Sequence, residues 1–201
     1  MKPQELVYVV DDDLSMREAL SSLIRSVGLR VETYPSAVAF LAAPRPEALV
    51  TCLILDIRMP ELNGLELQSQ LIQLGHAIPI IFITGHGDIP MAVRAMKQGA
   101  VEFLAKPFRD EDLLTAIDSA LTQARNSHQA ETELDKIRRR YALLTNREKE
   151  VIVYMVKGTL NKQAAAELGI SEITIKVHRH NIMMKMQVDT VPDLVRCMER
   201  L

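Results

Sequence analysis

Cys52-Leu53-Ile54-Leu55-Asp56-Ile57-Arg58-Met59-Pro60 decides the fold. Its first four residues form an unbroken apolar run that ends on an acid, as a strand buried on both faces should read. The same signature recurs on either side of it, at 6–10 and at 79–83, with further strands at 30–34 and 101–104. Between the strands the period changes. Met16, Leu20, Leu23, Ile24 and Val27 recur at helical spacing and Gly28 closes that helix. Ser36 caps a short helix carrying Val38, Phe40 and Leu41, and residues 65–74 form a third helix. Pro90 opens a helix that Gly99 closes, and a long helix begins near Asp110.

Five strands alternating with five helices predict an α/β unit, a five-stranded parallel doubly wound sheet with helices on both faces. Chemistry in such sheets gathers at the carboxyl ends of the strands. The polar residues of this chain fall there: Asp11, Asp12 and Asp13 after strand one, Asp56 on strand three, Thr84 after strand four and Lys106 after strand five. No glycine-rich phosphate loop of the GxGxxG or GxxxxGK[ST] kind occurs.

The bulk composition sets bounds on the rest. With 201 residues, 48% hydrophobic and 25% charged, the chain suits one mid-sized domain and one small one rather than disorder. No apolar run approaches the roughly 20 residues that span a bilayer, and no signal peptide is recognisable, so a cytoplasmic protein without a membrane partner is expected. Cys52 and Cys197, without a CxxC spacing, read as buried thiols. The net charge of −2 conceals an asymmetry: residues 1–124 hold 10 basic against 16 acidic residues, residues 125–201 hold 14 against 10. The basic second part points towards a polyanion.

The apolar seam at 114, 117, 121 and 124 fades after Arg125 and resumes in another phase at Leu134, Ile137, Tyr141 and Leu144. That phase change reads as a stutter or a break. Residues 1–124 are therefore expected to be the first domain, 125–142 a helical linker and 143–201 a second, all-α four-helix domain. Thr145, Asn161 and Ser171 offer caps for three helices, Gly158 and Gly169 close two of them, and Pro192 stands near the start of a fourth. Helix, short glycine turn, helix is the layout of a helix-turn-helix.

Carboxylates converging on one strand rim repel each other, and a hard divalent cation resolves the conflict. Beside such a cation a carboxylate can attack a phosphoryl group while a lysine neutralises the charge on its oxygens. Asp56, apart from the tandem acids, is the better nucleophile candidate. A phosphatase working through an aspartyl phosphate is a rival reading, but it would place the nucleophile in a DxD pattern on strand one, with further motifs that Asp11-Asp12-Asp13 lacks.

Four blocks resemble receiver domains of two-component response regulators: Val10-Asp11-Asp12-Asp13, Leu55 to Pro60 with Asn63-Gly64, Thr84-Gly85-His86-Gly87-Asp88, and Lys106-Pro107-Phe108. The run from Ile83 to Val93 resembles the FixJ branch, including StyR-type regulators. This resemblance implies a flavodoxin-like fold, Asp56 as the residue phosphorylated by a sensor histidine kinase, and Mg²⁺ held by Asp12 and Asp56, by Asp11 partly through water, and by the Arg58 backbone carbonyl. It further implies that Lys106 pairs with the phosphoryl group, that Thr84 moves to hydrogen-bond it and that Phe103 swings inward behind it. Asp13 is read as a helix cap and His86 as a loop residue. No enzymatic turnover is expected beyond self-phosphotransfer and slow autodephosphorylation.

Residues 144–195 resemble the LuxR/NarL-type effector domain through Leu144-Thr145-Asn146-Arg147-Glu148, Asn161-Lys162, Glu167-Leu168-Gly169-Ile170-Ser171 and the run from Thr174 to Ile182. Ile175, Ile182 and Met186 form a buried stripe on its third helix. The resemblance implies that Lys176, Val177 and His180 face bases of double-stranded promoter DNA. Reach and charge make Thr174, Arg179, Lys185 and Lys162 phosphate contacts, with His178 turned inward. Leu160, Ala164 and Val191 depart from the family's pattern. The whole is expected to form a homodimer when phosphorylated, with RNA polymerase a candidate further partner. A second domain that binds protein instead of DNA is the remaining alternative.

Overall fold

The computed structural model describes residues 4–44, 49–85 and 89–201. The chain divides into two compact units, Met1–His128 and Gln129–Leu201. In the first, strands β1 (Glu5–Val10), β2 (Arg30–Tyr34), β3 (Val50–Asp56), β4 (Ile80–Thr84) and β5 (Glu102–Ala105) alternate with helices α1 (Leu14–Ser26), α2 (Ala37–Ala42), α3 (Gly64–Gln73), α4 (Ile89–Lys97) and α5 (Asp110–Ala142). All strand pairs are parallel, in the order β2-β1-β3-β4-β5. That is the flavodoxin-like order, which reverses direction between β1 and β3 and opens a crevice there.

The central strands are buried on both faces, and their alternate residues feed two cores. Leu6, Tyr8, Val10, Leu53, Leu55 and Phe82 join Phe40, Leu67, Leu71 and Ala95 on the side of α2, α3 and α4. Val7, Val9, Cys52, Ile54, Ile81 and Ile83 join Leu20, Ile24, Leu113 and Ile117 on the side of α1 and α5. Cys52 is buried, and the loss of solvation, reinforced by the charge of Glu5, pushes its thiol up to about 12. An inert core thiol follows. Asp13 caps α1 by accepting from the Ser15 and Met16 amides, and Ser36 caps α2. Gly28 and Gly99, with φ of 82° and 89°, sit just past helix ends where the left-handed conformation excludes most side chains. His86 lies outside the described residues.

Helix α5 spans the stretch where the apolar phase changes. Its last turns belong to the second unit, where Ile137 is buried with Leu144, Val151, Ile152, Met155, Ile175, Ile182, Met186 and Leu194. The rest of that unit is α6 (Asn146–Val156), α7 (Asn161–Leu168), α8 (Glu172–Met186) and α9 (Val191–Met198). Thr145 and Glu148 form a reciprocal capping box on α6, and Ser171 caps α8. The cap expected at Asn161 is corrected: Asn161 is already helical, and the cap position is Leu160, which makes no side-chain cap hydrogen bond. Gly169, at φ 65°, makes the turn between α7 and α8. Among the described residues, no helix is long and apolar enough to cross a membrane.

Candidate functional site

Strand register assembles the first site. Val10 pairs with Leu55, so Asp11 and Asp56 emerge side by side where the sheet order reverses. Thr84 pairs with Ala105, so Lys106 follows directly, and its amide donates to the Thr84 carbonyl at 2.8 Å. Four side chains drawn from separate strands thus meet on one rim. The Lys106 ammonium donates to Asp11 Oδ2 at 2.8 Å and to Asp56 Oδ2 at 3.0 Å. Asp11 and Thr84 are fully buried, Asp56 is almost so, and Asp12 and Arg58 are exposed. Phe103 is half-buried against the core beneath α4. The Lys106–Pro107 peptide is cis.

The electrostatics follow from this burial. Desolvation pushes the Asp11 carboxyl above its ordinary value, although the Lys106 ammonium and the Asp13 amide pull the other way. Burial on its own would lower Lys106. Its hydrogen bonds to Asp11 and Asp56 more than reverse that and hold the ammonium above the usual lysine range, so it stays charged. One carboxylate oxygen from each of Asp11, Asp12 and Asp56 lies within 4.8 Å of the others. Three hard oxygen donors against one lysine leave excess negative charge, a donor set that fits a small divalent cation. The Arg58 amide donates to Asp56 Oδ1 at 3.2 Å, which sets the loop that carries the Arg58 carbonyl.

Two supports of this rim escape sequence reasoning. The Arg17 guanidinium donates to the Asp11 carbonyl at 2.7 Å from inside α1, and no local pattern announces it. Gly64 opens α3 with its amide donating to the Ile57 carbonyl at 2.9 Å. A Cβ there would run into the Asp56 carbonyl oxygen and approach Ile57 Cα to 3.0 Å, so only glycine allows α3 to start this close to the acid. The Asn63-Gly64 pair was visible in the sequence, but the contact it permits was not.

The second site lies on α8 and the start of α7. Ile175, Ile182 and Met186 are buried, while Lys176, Val177 and His180 are exposed, as is Lys162 on α7. Arg179 and His178 are half-buried, as is Thr174, whose hydroxyl lies 2.8 Å from that of Ser171 at the helix cap. The Lys185 ammonium, expected at a phosphate, meets Glu148 Oε2 at 2.6 Å. Glu148 also accepts from the Thr145 amide at 2.8 Å and hydroxyl at 3.1 Å. Burial would push this carboxyl up, but the hydrogen bonds from Lys185 and Thr145 outweigh it and hold it below the ordinary carboxylate value. A helix read alone cannot reveal a partner 37 positions away on α6.

Comparison with known proteins agrees with both halves. Residues 7–118 match the family model described as the response regulator receiver domain, and residues 142–198 match that of bacterial regulatory proteins of the luxR family. The chain is 54% identical over 202 residues to the response regulator protein TmoT of Ectopseudomonas mendocina, covering 100% of this chain and 91% of that one. It is 42% identical over 190 residues to the transcriptional regulatory protein FixJ of Rhizobium meliloti, covering 94% and 93%. The solved structure of the response regulator StyR superimposes with a TM-score of 0.88 at 48% identity, covering 98% of this chain and 100% of that one. Two domain matches in sequence order, with relatives alike along nearly the whole length, give one assignment: the chain belongs to the FixJ/NarL family of two-component response regulators, which join a receiver domain to a LuxR-type DNA-binding domain to regulate transcription.

Proposed function

We propose that a sensor histidine kinase phosphorylates Asp56, and that the phosphorylated chain dimerises and binds promoter DNA through α8. The observation that carries this reading is the Lys106 ammonium held between Asp11 and Asp56 at 2.8 and 3.0 Å. It places fixed positive charge beside a nearly buried carboxylate, where charge develops during phosphoryl transfer. An Asp56 carboxylate oxygen attacks the phosphorus of a phosphohistidine. The P–N bond breaks, its electron pair stays on the imidazole nitrogen, and an acyl phosphate forms. Asp12, Asp56 and the Arg58 carbonyl, with Asp11 partly through water, would hold Mg²⁺, which would supply neutralising charge for the phosphoryl oxygens. Lys106 stays with the phosphoryl group as its permanent counter-charge.

The switch follows from what surrounds the acid. Thr84 turns its hydroxyl to the phosphoryl oxygens, and Phe103 moves inward behind it. This biases α4 and β5 towards a dimerising arrangement. Ile89, Val93 and Met96 give α4 an exposed apolar face at helical spacing for a second copy to cover. On the DNA, Lys176, Val177 and His180 read bases, while Thr174, Arg179 and Lys162 hold phosphates. The dimer then acts in the cytoplasm, with RNA polymerase as the partner that reads it out. No external substrate is turned over. The only chemistry is self-phosphotransfer and slow autodephosphorylation.

The test is Asp56→Asn. This variant should take up no phosphoryl group from a phosphorylated kinase and lose all phosphate-dependent DNA binding in a mobility-shift assay at fixed salt. A wild-type response would remove Asp56 from the mechanism.

A further inference from the structure

Ile173 is the second residue of α8 and is 75% exposed, and Val177, one turn later, is 54% exposed. Neither joins the hydrophobic core of the second unit. At about 100° per residue, Ile173, Lys176, Val177 and His180 fall within an arc of roughly 100°. Ile175, Ile182 and Met186, each at most 1% exposed, occupy the opposite side. The outward face therefore alternates aliphatic and basic side chains, and two β-branched residues stand in water on it. The acid of α8, Glu172, lies about 40° outside the Lys176 edge of that arc.

We infer that Ile173 acts with Val177 as a pair of thymine-methyl readers, so that the preferred half-site carries two thymines one or two base pairs apart. The inference rests on α8 being the DNA-reading helix and adds what it selects. Lys176 and His180 within the arc call for a polyanion, which favours DNA over an apolar protein groove. In the major groove the apolar feature available to an aliphatic side chain is the thymine C5-methyl group. Residues four apart on a helix are about 6 Å apart along its axis, and successive base pairs are about 3.4 Å apart. The pair therefore spans two base pairs when the helix follows the groove, and one when it is tilted. Ile173 belongs to the N-terminal part of the helix, which reaches deepest towards base edges in this kind of docking. Met184 is also exposed but lies about 16 Å further along the axis, beyond that part.

The experiment uses the full chain with Mg²⁺ and beryllofluoride. A duplex is first selected from random sequence, and each thymine of one half-site is then replaced in turn by deoxyuridine, which removes only the methyl group. Two positions should each lower affinity about fourfold, the value of one buried methyl group. Ile173→Ala should erase the penalty at one position and Val177→Ala at the other. Neither variant should change the slope of log affinity against log salt, because neither touches a phosphate. Thermal melting of Ile173→Ala should match wild type, since the side chain has no core contact to lose. Selected duplexes with no methyl-sensitive thymine, or two penalties that both persist in Ile173→Ala, overturn the inference while leaving DNA binding intact. Unchanged affinity of Ile173→Ala for every duplex, with loss of a protein partner instead, overturns it in favour of a protein-docking face. Failure of the wild type to select any duplex overturns both the inference and the DNA-binding reading beneath it.

Discussion

The acidic rim and α8 are both assigned to phosphate in the proposed function, and they are built in opposite ways. On the rim the charges are drawn inward: Lys106 reaches an acid 95 positions away, and the buried Asp11 carboxylate is tied at both oxygens. On α8 the groups face out, and one helix supplies most of them. A site for a single phosphoryl group on its own carboxylate needs a dry pocket with fixed charge. A site for a long polyanion needs exposed donors that exchange water for phosphate. The rim should therefore fail when backbone placement fails, and the helix when the strut that orients it fails.

The severest way to break the rim without removing any charged group is Gly64→Ala. The added methyl group cannot coexist with the Asp56 carbonyl unless α3 or the end of β3 shifts. Overpacking of this kind costs about 3 kcal/mol. The first unit's urea midpoint should fall accordingly, and phosphoryl uptake should drop at least tenfold because Asp56 is displaced relative to Lys106. Wild-type uptake from a correctly folded variant would show that the rim tolerates backbone movement, and the contrast drawn above would fail.

Glu148 is the corresponding weak point of the second unit. Its carboxylate is almost fully buried yet accepts from Lys185 and from the Thr145 amide and hydroxyl, joining α6 to α8. Glu148→Gln keeps one acceptor oxygen for those donors but removes the charge opposite Lys185, and should cost about 2 kcal/mol at neutral pH. The sign of the pH dependence is fixed by the lowered carboxyl. The stabilisation is complete above the unfolded value near 4.5 and is lost as pH falls through the folded one. Calorimetry of the full chain should show the gap between wild type and variant in the second unit's transition constant from pH 7 to about pH 5 and closing below. A gap that persists at low pH would mean that packing, not charge, holds α8.

What the sequence made legible divides along the same line. Strand ends and helix periods are local, so the five strands, their parallel order and the convergence of Asp11, Asp56, Thr84 and Lys106 could be read from apolar runs and their terminal residues. The buried stripe of Ile175, Ile182 and Met186 was legible for the same reason. Arg17 on the Asp11 carbonyl, the close approach at Gly64 and the Glu148–Lys185 pair were not, because each depends on how two elements sit together. Lys185 shows the cost: on the helix alone it is a free cation, and only the packing of α6 engages it. Asn161 failed differently. It is a good cap by residue type, but the extended residue that precedes the helix is Leu160.

The engagement of Lys185 separates it from Lys162, and salt dependence measures the difference. Lys162→Ala should weaken binding to all duplexes alike and reduce the slope of log affinity against log salt by about 1. Lys185→Ala should leave that slope unchanged and instead lower the second unit's stability by about 1–2 kcal/mol, through the loss of one charged hydrogen bond. An equal reduction in slope for both would return Lys185 to the phosphate contacts.

The smallest effect should come from Leu160, where the second unit departs from its own pattern of well-capped helices. Thr145, Ser171 and Thr190 each accept a backbone amide at the start of their helices, whereas Leu160 begins α7 with none and exposes 68% of its surface. Its backbone, at φ −61° and ψ 145°, already has the extended form a capping residue needs. Leu160→Ser therefore adds an acceptor for an unpartnered amide of the first turn and removes an apolar group from water, with no backbone rearrangement. The gain should be about 1 kcal/mol, equivalent to a rise of several degrees in the melting of the second unit, while phosphoryl uptake in the first stays the same. No rise, or a fall, would mean that the exposed leucine has a partner to meet, and α7 would then have to be counted with α8 as part of the reading surface.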